Sequence, residues 1–118
     1  MKTYQITNKD VAYYDSCITV YPNATKDDID GALSDVEMDI SIDWGDNWSP
    51  ASWEALHFDY QSPDTKEIGT TSLVGYIDLK RFCKESNVSL VYTDAWGIKQ
   101  DKIPIIICVK VVEREEED

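Results

Sequence analysis

The chain has 118 residues, of which 42% are hydrophobic and 11% aromatic, a size and composition that suit one folded domain and exclude wholesale disorder. Its 23 acidic and 11 basic residues give a formal charge of -12, which disfavours direct binding to nucleic acid. The sequence contains no run of 18 apolar residues and no apolar leader core, so we expect neither a transmembrane helix nor a signal peptide.

The first half of the chain predicts a strand, a helix and a second strand. Residues 11–21 are rich in β-branched and aromatic side chains, which predicts a strand that ends at Pro22 and Asn23. Thr25 can then cap a short helix whose first-turn acids are favoured by the helix dipole. From Val36 to Trp44, apolar and polar residues alternate strictly, which indicates a strand with one buried and one solvated face.

The second half predicts further strands and one more helix. Residues 53–60 fit a strand, although a short helix fits them too. A helix is expected between Thr70 and Asn87, starting either at an Asp78 cap or near Ser72, with its apolar side facing inward: Leu79, Phe82 and Cys83. Residues 88–93 and 103–112 predict two strands of an antiparallel hairpin with a long loop, and the doubly apolar run at 105–109 predicts a central strand.

These elements predict an α+β fold with a mainly antiparallel sheet of about five or six strands and two short helices. The expected organisation is a single domain over residues 1–112, followed by an acidic and disordered tail at 113–118. Cys17, Cys83 and Cys108 are widely spaced and form no C-x-x-C pair, so we expect three free thiols. Together with the missing leader core, free thiols indicate a cytoplasmic protein.

Acidic residues are concentrated between Ala24 and Asp64, where eleven acids and one base give a formal charge of -10. Residues two apart on a strand lie about 6.6 to 6.8 Å apart, a spacing comparable with that of consecutive phosphates on a nucleic-acid strand. The solvated face of the alternating strand would therefore present a phosphate-like row. The predicted partner-binding residues are these acids, with one tryptophan as an exposed anchor: Asp27, Asp28, Asp30, Asp35, Glu37, Asp39, Asp43, Asp46 and Trp48.

The charge pattern favours a non-enzymatic inhibitor that mimics nucleic acid and binds the basic surface of a nucleic-acid-binding protein or nuclease. Two settings fit equally well: a phage-type anti-restriction or anti-CRISPR inhibitor, and a toxin immunity protein. The alternative is a carbohydrate- or small-ligand-binding module built on Trp44, Trp48, Trp53 and Tyr60. A structural or assembly protein also stays open.

The sequence carries little support for catalysis, and we expect no catalytic residues, no metal, no cofactor and no membrane partner. His57 is the single histidine, so a site with several histidine ligands cannot form within one chain. No phosphate-binding, dinucleotide-binding or nucleophile-elbow motif occurs.

Overall fold

The computed structural model of the chain describes residues 2–14, 17–36, 39–45 and 47–114. These residues form an α+β structure, as predicted, with helices α1 (Lys26–Asp35) and α2 (Leu79–Ser86) and a 3-10 turn at Asn8–Asp10. The strands are β1 (Thr3–Ile6), β2 (Val11–Tyr14), β3 (Cys17–Val20), β4 (Asp39–Asp43), β5 (Trp48–Pro50), β6 (Leu56–Phe58), β7 (Gly69–Asp78), β8 (Ser89–Thr93), β9 (Lys99–Gln100) and β10 (Lys102–Val111).

The strands form three small sheets, in the orders β1-β8-β9, β3-β10-β7-β6 and β2-β4-β5. Strand β1 runs parallel to β8, and β3 runs parallel to β10. The β2–β4, β4–β5 and β8–β9 pairs are antiparallel. The prediction of one sheet of five or six strands is therefore wrong. Long connections let strands from opposite ends of the chain pair in parallel, which short-range patterns do not reveal.

The chain divides into two compact units, which we describe separately. The first unit comprises Met1–Tyr14, Asp39–His57 and Gly75–Ile105, and its largest buried side chains are Ile6, Ile40, Ile42, Ile77, Phe82, Tyr92, Ile103 and Ile105. The second unit comprises Asp15–Met38, Phe58–Val74 and Ile106–Asp118, and its core contains Ile18, Val20, Ile29, Leu33, Leu73, Ile107, Val109 and Val111. The single-domain boundaries expected from the sequence stay a prediction.

Strand β10 shows most clearly how the sequence builds a core. Every second residue is buried, in the order Ile103, Ile105, Ile107, Val109 and Val111. The intervening side chains point to the opposite face, because successive residues of a strand alternate between faces. The strand lies between β3 and β7, so the predicted central position is confirmed. Its second face is not buried, because Ile106 is 62% exposed.

Both helices begin where local chemistry predicts. The side chain of Thr25 caps α1, and the side chain of Asp78 caps α2 by accepting a hydrogen bond from the backbone N–H of Arg81. Helix α2 ends at Asn87, whose left-handed backbone (φ 52°) suits the asparagine found there. Both predicted caps are confirmed. Neither helix in the described part of the chain is long and apolar enough to cross a membrane.

Two predicted strands of the first half differ from the structure. Residues 11–21 do not form one strand, because β2 and β3 belong to different sheets. The alternating strand is shorter than 36–44, because Val36 still caps the C-terminus of α1 and β4 begins at Asp39. Its face opposite Ile40 and Ile42 is also not fully solvated, since Ser41 is buried. Serine is small enough to be buried at the centre of this polar face.

The second half also needs correction. Residues 69–78 form strand β7, so the helix does not start near Ser72, and the threonine and valine content of this segment explains the strand. Strands β8 and β10 do not form a hairpin. Instead, β8 turns back onto the two-residue strand β9, and β10 joins another sheet. Within residues 53–60, the strand is limited to Leu56–Phe58.

The prediction of three free thiols is wrong for two of the cysteines. Cys17 on β3 and Cys108 on β10 are directly opposite in the parallel register and form a disulfide, with their Cα atoms 4.5 Å apart. Cys83 is free and half-buried, and its burial raises the pKa of the thiol. The sequence could not reveal the pair, because 91 positions separate its members. The cytoplasmic location, which rested partly on free thiols, stays a prediction.

Candidate functional site: an acidic helix and its groove

The two compact units differ in charge. The second unit contains fourteen acidic and four basic residues, a formal charge of -10. The first unit contains nine acidic and seven basic residues, a formal charge of -2. The acidic stretch that stands out in the sequence is thus divided by the fold: the acids of α1 belong to the second unit, whereas Asp43 and Glu54 belong to the first. We therefore consider the second unit as the candidate site.

Helix α1 supplies the best defined carboxylates of this unit. Its first turn is a capping box in which Thr25 Oγ1 accepts a hydrogen bond from the backbone N–H of Asp28, at 3.2 Å. In return, Asp28 Oδ2 accepts one from the backbone N–H of Thr25, at 2.8 Å. These bonds to Thr25, and to a smaller extent the positive charge of Arg114, lower the pKa of Asp28. Asp28 therefore keeps its negative charge to a lower pH than an ordinary aspartate does.

The remaining acids of α1 divide between a buried side and an exposed side. Ile29 and Leu33 face the core, because residues four apart share one side of a helix. Asp27 and Asp35 are exposed, and within the described ranges neither carboxylate forms a salt bridge. Their charges are therefore available to a cation from outside the unit.

Asp30 has a different environment, since it is half-buried and hydrogen-bonds the hydroxyl of Tyr60. Burial, followed by this hydrogen bond and the charge of Asp30, raises the pKa of Tyr60 to about 12. The ring of Tyr60 also lies beneath Lys26 Nζ, 5.2 Å from the ring centroid, and against the edge of Phe58. Asp30 and Tyr60 thus attach α1 to the segment that follows β6, and they contribute less to the exposed acidic surface.

A groove of about 490 Å³ runs along the exposed side of α1. Asp27, Gly31 and Asp35 line it at intervals of four residues, so the helix wall is about 12 Å long. Asp28 lies beside them, and Tyr21 and Arg114 line the groove from outside the helix. Three carboxylates against one guanidinium give this lining a formal charge of -2.

The structure brings together only part of the predicted site. Asp27, Asp28, Asp30 and Asp35 share one helix, as expected. Glu37 and Asp46 lie outside the described residues, and so does the side chain of Asp39. Asp43 is half-buried, and its Oδ1 atom is shielded from solvent with no hydrogen-bond partner in the described part of the chain. The phosphate-like row therefore has no described exposed member on β4.

The predicted exposure of Trp48 is confirmed, since this residue of β5 is 54% exposed. Trp53 is exposed to a similar degree. Trp44 differs, because its Nε1–H donates to Ser49 Oγ at 3.2 Å and its ring packs against Tyr4. Trp44 is thus held by its neighbours, although it is only half-buried and lies just after β4.

Sequence reasoning missed the most exposed tryptophan. Trp96 is 84% exposed in the loop between β8 and β9. The loop is held by Asp94, whose Oδ1 accepts hydrogen bonds from the backbone N–H groups of Trp96 and Ile98, at 2.9 and 3.0 Å. These bonds lower the pKa of Asp94, with the bond from Ile98 the largest cause. Aspartate at the first position of the turn and Gly97 at a positive φ are signals that could have located it.

The described residues contain no group of three or more histidine, cysteine, aspartate or glutamate side chains arranged to hold a metal ion. His57 instead stacks on the ring of Tyr76, with centroids 4.9 Å apart. No family model, curated protein or solved structure matches this chain.

Proposed function

We propose that this chain is a non-enzymatic acidic inhibitor that binds the basic surface of a nucleic-acid-binding protein or nuclease. The observation that carries the proposal is the -10 charge of the second unit, together with exposed carboxylates on α1 that have no salt-bridge partner among the described residues. The like charges of the unit repel one another, which lowers the stability of its fold, and a basic partner reduces this repulsion when it binds. Nucleic-acid-binding surfaces are basic and are therefore suitable partners.

In this proposal, α1 replaces strand β4 as the main contact. Asp27 and Asp35 are eight residues apart, about 12 Å along the helix axis, so their carboxylates can meet two separate cations of a phosphate-binding surface. Asp27 and Asp35 are the principal contacts, and Asp28 adds a charge fixed by its bonds to Thr25. Trp48 remains a candidate anchor in the first unit.

The test is a pull-down at low and high salt, followed by affinity measurements with the captured protein. The variant Asp27→Asn/Asp35→Asn should bind about tenfold more weakly, because charge pairs close to an interface contribute strongly to affinity. The matched control is Glu54→Gln/Asp101→Asn, which removes the same number of exposed charges from the first unit. The control should bind almost as tightly as the parent.

Competition decides whether the contact mimics nucleic acid. Duplex DNA or structured RNA should displace the chain from its partner, and raised salt should weaken the complex. If nucleic acid and the chain bind the partner together, or if the α1 variant binds as tightly as the parent, the proposal is wrong.

The alternative, a carbohydrate-binding module, has weaker support. Of its four aromatic residues, Trp44 is engaged with Tyr4 and Ser49, and Tyr60 is engaged with Lys26 and Asp30. Sugar binding would persist at high salt, whereas binding to a basic protein would weaken, so the salt series separates the two functions.

A further inference from the structure

The groove along α1 is open at its centre. Gly31 stands midway between Asp27 and Asp35, and, apart from its chain neighbours and the backbone of α1, no atom lies within 4 Å of the place where a Cβ atom on Gly31 would be. Glycine inside a helix costs about 0.5 to 1 kcal/mol relative to alanine. A residue that weakens the helix and also leaves space between two exposed carboxylates gives the groove room for a side chain from another molecule.

The groove already receives a guanidinium from its own chain. After β10, the backbone N–H of Val112 donates to the carbonyl of Val20 at 3.0 Å, which brings the C-terminal segment beside the end of β3. The guanidinium of Arg114 lies over the ring of Tyr21, 4.8 Å from its centroid. Within the described chain, Arg114 forms no salt bridge with the groove carboxylates. The ring thus holds a cation whose charge acts on Asp28, while Asp27 and Asp35 form no salt bridge within the described chain.

We propose that this groove is a receptor for an arginine side chain of the basic partner, which replaces Arg114 over Tyr21 and is attracted by the negative charge of the α1 carboxylates that line the groove. The receptor names the chemical group that the proposed inhibitor would recognise. It depends on the proposed function only in that the arginine belongs to the basic partner. Arginine fits better than lysine because its planar guanidinium can stack on a ring and bind carboxylates at its edge, whereas an ammonium is a compact, strongly hydrated charge.

The probes are two short peptides, acetyl-Gly-Gly-Arg-Gly-Gly-amide and the same peptide with lysine, titrated into the full chain at low salt and followed by NMR. The arginine peptide should bind about two to five times more tightly, because lysine can also lie over the ring but lacks the planar edge that binds carboxylates. Tyr21→Leu should remove this preference. Arg114→Gln should strengthen binding of the arginine peptide several-fold, because it removes the internal competitor.

Gly31 provides a variant that blocks the groove without harming the fold. Gly31→Leu should reduce arginine-peptide binding at least tenfold, because the new side chain occupies the open space between the carboxylates. Gly31→Ala is the matched control and should retain binding, since a methyl group leaves most of the groove open. Both variants should melt at or above the parent temperature, because either residue favours a helix more than glycine does.

The outcomes distinguish the arginine receptor from the proposed inhibitor function. Equal binding of the two peptides, unchanged by Tyr21→Leu, would show a simple acidic face and would overturn the arginine receptor while leaving the inhibitor function intact. An unaltered affinity in Arg114→Gln or in Gly31→Leu would also overturn it. An arginine preference that depends on Tyr21 and Gly31 would support the receptor, even if the captured partner failed the nucleic-acid competition described above.

Discussion

Loss of the disulfide between Cys17 and Cys108 should destabilise the folded protein strongly. The bond closes a loop that spans 91 positions of the 118-residue chain. In the chain-entropy account, a loop of this length restricts the unfolded state by about 4.6 kcal/mol, which we take as the upper limit. A typical disulfide contributes about 2 to 4 kcal/mol, so the expected cost lies in that range.

The perturbation is Cys17→Ser/Cys108→Ser, and the assay is thermal unfolding by circular dichroism with and without reductant. For a domain of this size, about 1 kcal/mol corresponds to roughly 4 °C, so the melting temperature should fall by about 8 to 16 °C. Reductant should lower the melting temperature of the parent to a similar value and leave the variant unchanged. Cys83→Ala is the control, because its half-buried thiol is free and its loss should cost about 1 kcal/mol or less.

Mass spectrometry of the native protein provides the direct check. The parent should be two hydrogen atoms lighter than the fully reduced chain, and the double variant should show no such difference. The disulfide would be refuted if the parent had the mass of the reduced chain, or if reductant did not change its melting temperature. In either case, all three cysteines would be free thiols.

Three further predictions concern the fold. Ile105→Asp should unfold the protein, whereas Ile106→Asp should change its stability little, because these neighbours on β10 are 1% and 62% exposed; thermal melts compare them. Thr25→Ala should cost about 1 kcal/mol in urea denaturation, because the capping box of α1 loses its hydroxyl acceptor. Tyr60 has a folded pKa of about 12 against an ordinary 10, so its stabilising effect should be complete below pH 10 and lost as the pH rises through 12. Absorbance at alkaline pH should show this late titration, and Asp30→Asn should shift it to lower pH.

The candidate site was partly predictable, for reasons that the individual residues illustrate. Asp27 and Asp35 were predictable as helix acids, because the Thr25 cap fixes where α1 begins. The role of Gly31 was not, since its importance depends on the open space beside it. Asp43 was expected to be solvated, but packing around β4 shields one of its oxygens, and the alternating pattern does not report that packing.

The sequence by itself determined the local features of this protein: its class, the two helix starts and the strand character of the β8 and β10 segments. These features depend on contacts within a few residues, such as the bonds between a cap and the first turn that follows it. Only the tertiary structure decided which strands pair, which cysteines meet and how the acidic residues divide between the units. Those outcomes depend on packing between segments tens of residues apart, and the same local patterns are compatible with many such arrangements.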